Sequence, residues 1–343
     1  MSTRANPFSA NGLGMPAEWA AHRACWLAWP SHAELWETDL PAVRREFAAL
    51  CRTIGGEALE VLVLDDAGRA EAGLALEGLD VRFHQVPFGD IWLRDTAPLF
   101  LAGSDGRRAT LVFEFNGWGG KYLLEGDRLL GGRLAALAGR DHQRAGMVFE
   151  GGAVEVDGGG LGIASRTCLL SPARNPDLDE EAVTALLSAA LGLSEVLWLD
   201  GMLAGDHTDG HVDTLARFAP GRRVLLARAG STDDPNSEVL DSVAGQLRGW
   251  AAAMAEPLEL VEVPSPGSVV DENGLPLPAS YLNFYISNSR VVVPVFGTPY
   301  DDAAVRVIAS CFNDRATVGL PAANILKGGG AFHCITMQEP APQ

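Results

Sequence analysis

Five short segments carry side chains whose types and spacing suit chemistry. The richest is Gly205-Asp-His-Thr-Asp-Gly-His-Val-Asp213, with two histidines and three aspartates. His207 and His211 stand four apart, as zinc-binding histidines do on a helix, so His207, His211 and Asp213 form one candidate metal set. Gly210 and the β-branched neighbours argue against a helix. A strand starting at about His211 would put His211 and Asp213 on one face and Val212 on the other. A histidine beside a carboxylate suits general acid–base work next to a cation. In Phe88-Gly-Asp-Ile-Trp-Leu-Arg-Asp-Thr-Ala-Pro98, Asp90 and Asp95 bracket an aromatic and an arginine. A carboxylate beside Trp92 offers both a charge and a π-face to a cationic ligand.

Phe115-Asn-Gly-Trp-Gly-Gly-Lys-Tyr122 surrounds Trp118 with glycines that let backbone approach a ligand closely. Phe149-Glu-Gly-Gly152 sets Glu150 at a strand end next to two glycines. Lys327-Gly-Gly-Gly-Ala-Phe-His-Cys-Ile-Thr336 delivers His333 and Cys334 from a glycine stretch into a β-type run. A thiol there is a candidate nucleophile, provided its surroundings allow the thiolate.

These segments need elements to position them. Amphipathic Ala/Leu-rich stretches predict helices near 40–53, 66–77, 128–139, 178–192, 235–254 and 301–312. Between them, β-rich runs predict strands at 59–64, 81–87, 109–115, 147–156, 161–170, 196–199, 212–218, 223–227, 258–263, 280–286 and 290–295. Strands alternating with helices throughout indicate an α/β fold. The glycine clusters do not read as a dinucleotide fingerprint, and no phosphate-binding loop motif occurs. Gly158–Gly162, the nearest approach, lies between two strand-like runs and reads as a hairpin turn. Strand-rich units return every 50 to 70 residues or so, a spacing compatible with a propeller.

The 343 residues carry 26 Lys plus Arg against 44 Asp plus Glu, a formal charge of −18. A surface this acidic repels a phosphate backbone, so no nucleic-acid partner is expected; a small cation is tolerated or attracted. No run of apolar residues is long enough for a membrane span. The start of the chain has one early cation and no apolar core after it, so no secretory leader is expected. Residues 1–14 read as a loose tail and 15–343 as a single catalytic domain. Five widely spaced cysteines, none in a C-x-x-C pair, suit reduced thiols and a cytoplasmic location.

Taken together, in this order and spacing, the five segments resemble the agmatine deiminase family, guanidine hydrolases related to bacterial-type peptidylarginine deiminase. The resemblance covers nearly the whole chain, from Met15-Pro-Ala-Glu-Trp19 and Trp26-Leu-Ala-Trp-Pro30 through Cys168-Leu-Leu-Ser-Pro-Ala-Arg-Asn-Pro176 to Gly328–Thr336. It implies the pentein fold, a five-bladed α/β propeller with pseudo-fivefold symmetry and a site on the central axis, where Asp95 and Cys334 would meet. It implies hydrolysis of agmatine to N-carbamoylputrescine and ammonia, with no cofactor and no metal. Cys334 is then the nucleophile and His211 the general acid and base. Asp95 and Asp213 are the guanidinium clamps, and Glu150 orients His211. Members are often homo-oligomeric, so a second copy is the protein partner the resemblance implies, and the Trp-rich N-terminal segment reads as interface or core.

Asp90, Trp92 and Trp118 are expected at the distal ammonium of the substrate. Arg94 and Arg166 are the arginines to check as partners for the α-carboxylate of an arginine substrate. The alternatives are an amidine hydrolase acting on arginine or peptidylarginine, the metallohydrolase above, and a non-catalytic polyamine-binding protein. Two carboxylates near Cys334 should disfavour its thiolate until a substrate cation neutralises them.

Overall fold

A computed structural model of the chain describes residues 12–342 and shows a mixed α/β architecture. Five sheets of three or four strands are present among these residues. Three of them repeat one plan: two antiparallel strands, a helix, then a third strand parallel to the second. Val154–Val156 and Leu161–Ser165 pair antiparallel, helix Glu180–Leu191 follows, and Glu195–Leu199 lies parallel to Leu161–Ser165. Ala216–Ala219, Arg223–Arg228 and Glu259–Pro264 repeat this around helix Ser237–Ala253. Tyr285–Ile286, Arg290–Val295 and Ala316–Pro321 repeat it around helix Asp301–Ala309.

In the fourth sheet Leu99–Gly103, Arg108–Glu114 and Asp141–Val148 follow the same plan around helix Asp127–Leu137. The fifth is stitched from both ends of the chain. Met337–Pro340 runs antiparallel to His22–Ala28, which continues through helix Leu40–Thr53 to the parallel strand Ala58–Val63 and then to Val81–Gln85.

The helices form where an apolar stripe meets a sheet. In Leu40–Thr53 the buried residues Val43, Phe47, Leu50 and Cys51 recur at helical spacing, and Pro41 fits the first turn because its missing N–H has no intrahelical partner there. Asp179 caps Glu180–Leu191 by accepting from the Ala182 amide at 2.9 Å. Trp26, Trp29 and Trp36 are 5% exposed or less, so in this chain the Trp-rich N-terminal segment is core. Among the described residues, no helix is long and apolar enough to cross a membrane.

Five expectations change. The run 280–286 is a strand only at Tyr285–Ile286, with Asn283 ahead of it. The run 147–156 is two strands, broken by a 3-10 turn at Gly151–Ala153. The run 161–170 ends as a strand at Ser165, whose side chain caps the short helix Arg166–Leu169. No strand starts at His211: Val212–Thr214 is a 3-10 turn, the strand begins at Ala216, and His211, Val212 and Asp213 are all buried. Cys334 lies in the turn Ala331–Thr336, ahead of the strand Met337–Pro340, and not within a β run. Apart from the one at Ser165, each break falls at or next to a polar side chain of the candidate site, where the ladder is interrupted. Of the expected tail, residues 1–11 lie outside the described residues, while Leu13 and Gly14 pair with Gly103 and Ala102.

Candidate active site

The recurring plan places one turn before the first strand of every sheet. Asp95 precedes Leu99–Gly103, Glu150 precedes Val154–Val156, and His211 and Asp213 precede Ala216–Ala219. Asn283 precedes Tyr285–Ile286, and His333 and Cys334 precede Met337–Pro340. Segments distant in sequence are thereby joined through a chain of direct contacts. The Cys334 sulfur lies 3.0 Å from Asn283 Nδ2 and 3.5 Å from Asp213 Oδ2. His211 Nε2 lies 3.1 Å from Glu150 Oε2, and His211 Nδ1 lies 3.8 Å from Asp95 Oδ2. Two glycines permit this crowding. A Cβ on Gly152 would sit 2.5 Å from His211 Nδ1, and one on Gly330 would sit 2.9 Å from the Cys334 Cβ.

Each of these groups is held by others. The Gly152 amide donates to Asp95 Oδ1 at 3.0 Å, and the Trp118 indole donates to Asp95 Oδ2 at 2.9 Å. Arg174 places its Nε 2.8 and 2.9 Å from the two oxygens of Glu150, and the Cys168 thiol donates to Glu150 Oε2 at 3.0 Å. Burial raises the Glu150 pKa, but His211 and Arg174 outweigh it and hold the carboxyl below its ordinary value. Glu150 engages Nε2, and the other ring nitrogen of His211, Nδ1, faces Asp95. Burial disfavours the imidazolium, yet Asp95, Cys168 and Glu150 together raise the His211 pKa well above its ordinary value. Burial, then the charges of Asp213 and Asp95, push the Cys334 thiol well up. Burial also raises Asp95. These directions favour thiol over thiolate at Cys334, and a bound cation would offset the share that comes from the carboxylate charges.

Behind Asp213 lies a buried ion network that sequence reasoning missed. His333 Nδ1 lies 2.7 Å from Asp213 Oδ2, and His333 Nε2 lies 2.8 Å from Glu18 Oε1. Glu18 in turn accepts from Arg94 at 2.9 Å and from Arg217 at 2.6 Å. Burial opposes ionisation of Asp213, but the His333 hydrogen bond and charge keep its pKa low. Asp213 Oδ1 is buried with no partner.

A cavity of ≈ 400 Å³ opens onto Cys334 and Asp95. Asp213, His211 and Glu150 stand behind that floor and do not line it. Asp90, Trp92 and Trp118 all line it, as expected. Both Asp90 oxygens are engaged, by the Trp36 indole at 3.0 Å and the Trp92 indole at 2.8 Å, so Asp90 fixes two aromatic walls while its charge faces the cavity. Burial raises the Asp90 pKa against these donors. Further out, Glu37, Asp39, Asp271 and Glu272 make the rim acidic. Lys327 is the one Lys or Arg among the lining residues, and its Nζ is 2.7 Å from Asp39.

No arginine lines the cavity. Arg94 is buried against Glu18 and the turn that carries Cys334, and Arg166 pairs with Asp200 and Glu180 at the surface. Neither is placed to meet a substrate carboxylate. Asp206 folds its own loop, accepting from the Thr208 and Gly210 amides at 2.7 and 2.8 Å. His207 Nδ1 bonds the Tyr122 hydroxyl at 2.9 Å. His207, His211 and Asp213 do not converge as metal ligands among the described residues. The two groups there with metal-ligand spacing are Glu150–Cys168–His211 and Glu18–Glu155–His333. Arg174 and the Arg94–Arg217 pair already sit against their carboxylates and supply the positive charge a metal would bring.

A family model of Porphyromonas-type peptidyl-arginine deiminase matches residues 14–340. The chain belongs to that family. It is 32% identical to the agmatine deiminase of Stutzerimonas stutzeri (strain A1501), across 100% of this chain and 99% of that protein. Among solved structures it resembles an agmatine deiminase of Enterococcus faecalis described as catalysing its reaction, with a TM-score of 0.91, 27% identity and coverage of 100% of this chain and 99% of that one. It also shares its fold with a C. jejuni agmatine deiminase that has substrate bound, with a TM-score of 0.88, 23% identity and coverage of 96% and 97%.

Asn283, Glu18, Arg174 and Arg217 were absent from the sequence-based expectation. Asn283 sits in Ser280-Tyr-Leu-Asn-Phe284, which reads as a plain apolar strand, so its composition carries no signal. Arg174 lies within Cys168–Pro176, a segment legible only as part of the family pattern.

Proposed function

We propose that this protein hydrolyses agmatine to N-carbamoylputrescine and ammonia, through a covalent amidino-thioether on Cys334. The observation that carries the reading is the meeting of a thiol and a carboxylate, Cys334 and Asp95, on the floor of an acid-walled cavity that no arginine lines. The guanidinium carbon is a weak electrophile because resonance spreads its charge. Carboxylates fix the planar cation by charge-assisted hydrogen bonds and present that carbon to sulfur. Asp95 takes one edge. Asp213, with its unpartnered Oδ1, takes the other once the cation reaches past Cys334.

As the cation enters, the charges that hold the thiol protonated are neutralised, and the proton leaves to water. Sulfur adds to the carbon. Imidazolium His211 protonates a terminal nitrogen through Nδ1, the C–N bond breaks, and ammonia departs. The now neutral imidazole takes a proton from water, the resulting hydroxide adds to the same carbon, and collapse breaks the C–S bond. That step releases the ureido product and regenerates the thiolate. Glu150, held by Arg174, keeps the His211 ring in register for both transfers.

An acidic cavity without an arginine favours a substrate that ends in an ammonium over one that adds a carboxylate. The five repeated sheets, each delivering a polar turn to one place, support a five-bladed propeller with this site on its axis. The five described cysteines are free and buried, which fits a reducing compartment and a cytoplasmic enzyme. The test is incubation with agmatine, free arginine and a peptidyl-arginine, scoring ureido product. Turnover of agmatine alone is expected. Preferred turnover of arginine or the peptide would replace this substrate assignment.

A further inference from the structure

Asn283 is 2% exposed and lies against the proposed nucleophile. Its Oδ1 receives three backbone amides of the nucleophile turn, from Ala331 and His333 at 3.1 Å each and from Cys334 at 3.3 Å. Three N–H groups converging on one atom fix which end of the amide is oxygen. The NH₂ group must then face the other way. There it finds the Cys334 sulfur at 3.0 Å and Asp213 Oδ2 at 3.1 Å, one acceptor for each of its two hydrogens. The same side chain therefore shapes the turn that carries the thiol and points a donor at the sulfur.

We propose that Asn283 is a catalytic residue of this site: its amide donates a hydrogen bond to the Cys334 sulfur and stabilises the thiolate, both when it attacks and when it is expelled. This rests on the reading of Cys334 as the nucleophile. Apart from Asn283 and backbone, the groups that act on the sulfur are the carboxylates Asp213 and Asp95, and the cavity beside it has aromatic walls. Aromatic walls give a thiolate nothing to bond, and Asp213 and Asp95 repel it. Asn283 is the side-chain donor found on the sulfur among the described residues, and it acts against the burial and carboxylate charges that raise the thiol. A preorganised donor aimed at a developing negative charge needs no reorganisation during the reaction.

The variant that separates this role from turn-building is Asn283→Asp. It keeps an oxygen for the three amides and replaces the donor by a second acceptor. Asn283→Ala, which removes both, is measured alongside. The readouts are steady-state turnover of agmatine, the pH dependence of Cys334 alkylation by iodoacetamide with the labelled peptide mapped, and the thermal melt. For Asn283→Asp we expect kcat to fall by about 100-fold, a loss typical of one such donor. We also expect the alkylation midpoint to rise by about one pH unit or more in both variants; in Asn283→Ala, which adds no carboxylate beside Asp213, that rise reports the lost donor alone.

An unmoved alkylation midpoint with kcat within about threefold of wild type, Cys334 still being the labelled residue, would overturn the assignment. Loss of the fold in both variants would also overturn it, in favour of a purely structural Asn283. Turnover that survives in Cys334→Ala would instead show that the nucleophile reading has failed, and the inference with it.

Discussion

The floor and the rim of the cavity are both acidic, but they are built differently. At the floor and directly behind it the carboxylates are buried and engaged by hydrogen bonds that fix at least one oxygen of each: Asp95 on the floor by Gly152 and Trp118, and behind it Glu150 by Arg174 and Cys168 and Asp213 by His333 and Asn283. At the rim, Asp39 and Glu272 share Lys327, with side chains that are 32% to 70% exposed. Buried charges with fixed donors cannot relax, so their field acts on the reacting atoms at full strength. Exposed charges are screened by salt and contribute little each. The comparison teaches that the floor should control kcat and the protonation of the thiol, and the rim should control capture of the cation.

The largest break in that division comes from Cys334→Ala. Turnover of agmatine should fall by about 10⁴-fold or more while the melt is unchanged, because the small side chain is removed beside an existing cavity. Appreciable residual kcat would remove covalent catalysis. Next is Glu150→Gln, which presents an amide to His211 in place of an acceptor-only carboxylate. The ring then loses its orientation, and kcat should fall by about 10³-fold with KM within about threefold. Arg174 loses its fully buried partner but keeps Asp209, so the melt should drop as well, by less than the penalty of about 3–5 kcal/mol for a buried pair broken outright. An unchanged kcat beside a lowered melt would reduce Glu150 to a structural role.

Asp213→Asn sharpens the comparison because its two effects have opposite signs. Asp213 is among the causes that push the thiol pKa up, so neutralising it should move iodoacetamide alkylation of free Cys334 to lower pH. Turnover should nevertheless fall by about 100-fold, since one edge of the cation loses its charge. Alkylation and turnover falling together would show that Asp213 does not oppose the thiolate.

The smallest effect belongs to the rim. Asp39→Asn and Glu272→Gln should raise KM for agmatine by about two- to fivefold with kcat unchanged, and the difference from wild type should shrink at high salt. A rim variant that altered kcat would merge the two regions.

Much of this was legible in the sequence, unevenly. The helices at 40–53, 178–192, 235–254 and 301–312 were readable because their apolar spacing is set by burial on one face. Strand ends were read poorly wherever the site intrudes. Around Glu150, His211 and Asp213 the β-type composition continues, but a 3-10 turn interrupts the ladder, and no local rule announces where. Cys334, Asp95 and Glu150 were picked out because glycines and aromatics mark their segments. Asn283, Glu18 and Arg217 were not, since each is one polar residue whose partners lie far away in the chain. Arg217, for example, reaches Glu18, 199 residues earlier, and meaning of that kind exists only after folding.

The most direct test of the central claim is peptide mass spectrometry of the enzyme quenched with acid during turnover of agmatine. The account predicts an added mass equal to agmatine less one ammonia, on the peptide that contains Cys334, disappearing as substrate is consumed. Sustained turnover with that cysteine unmodified at every quench time, together with activity in Cys334→Ala, would contradict it.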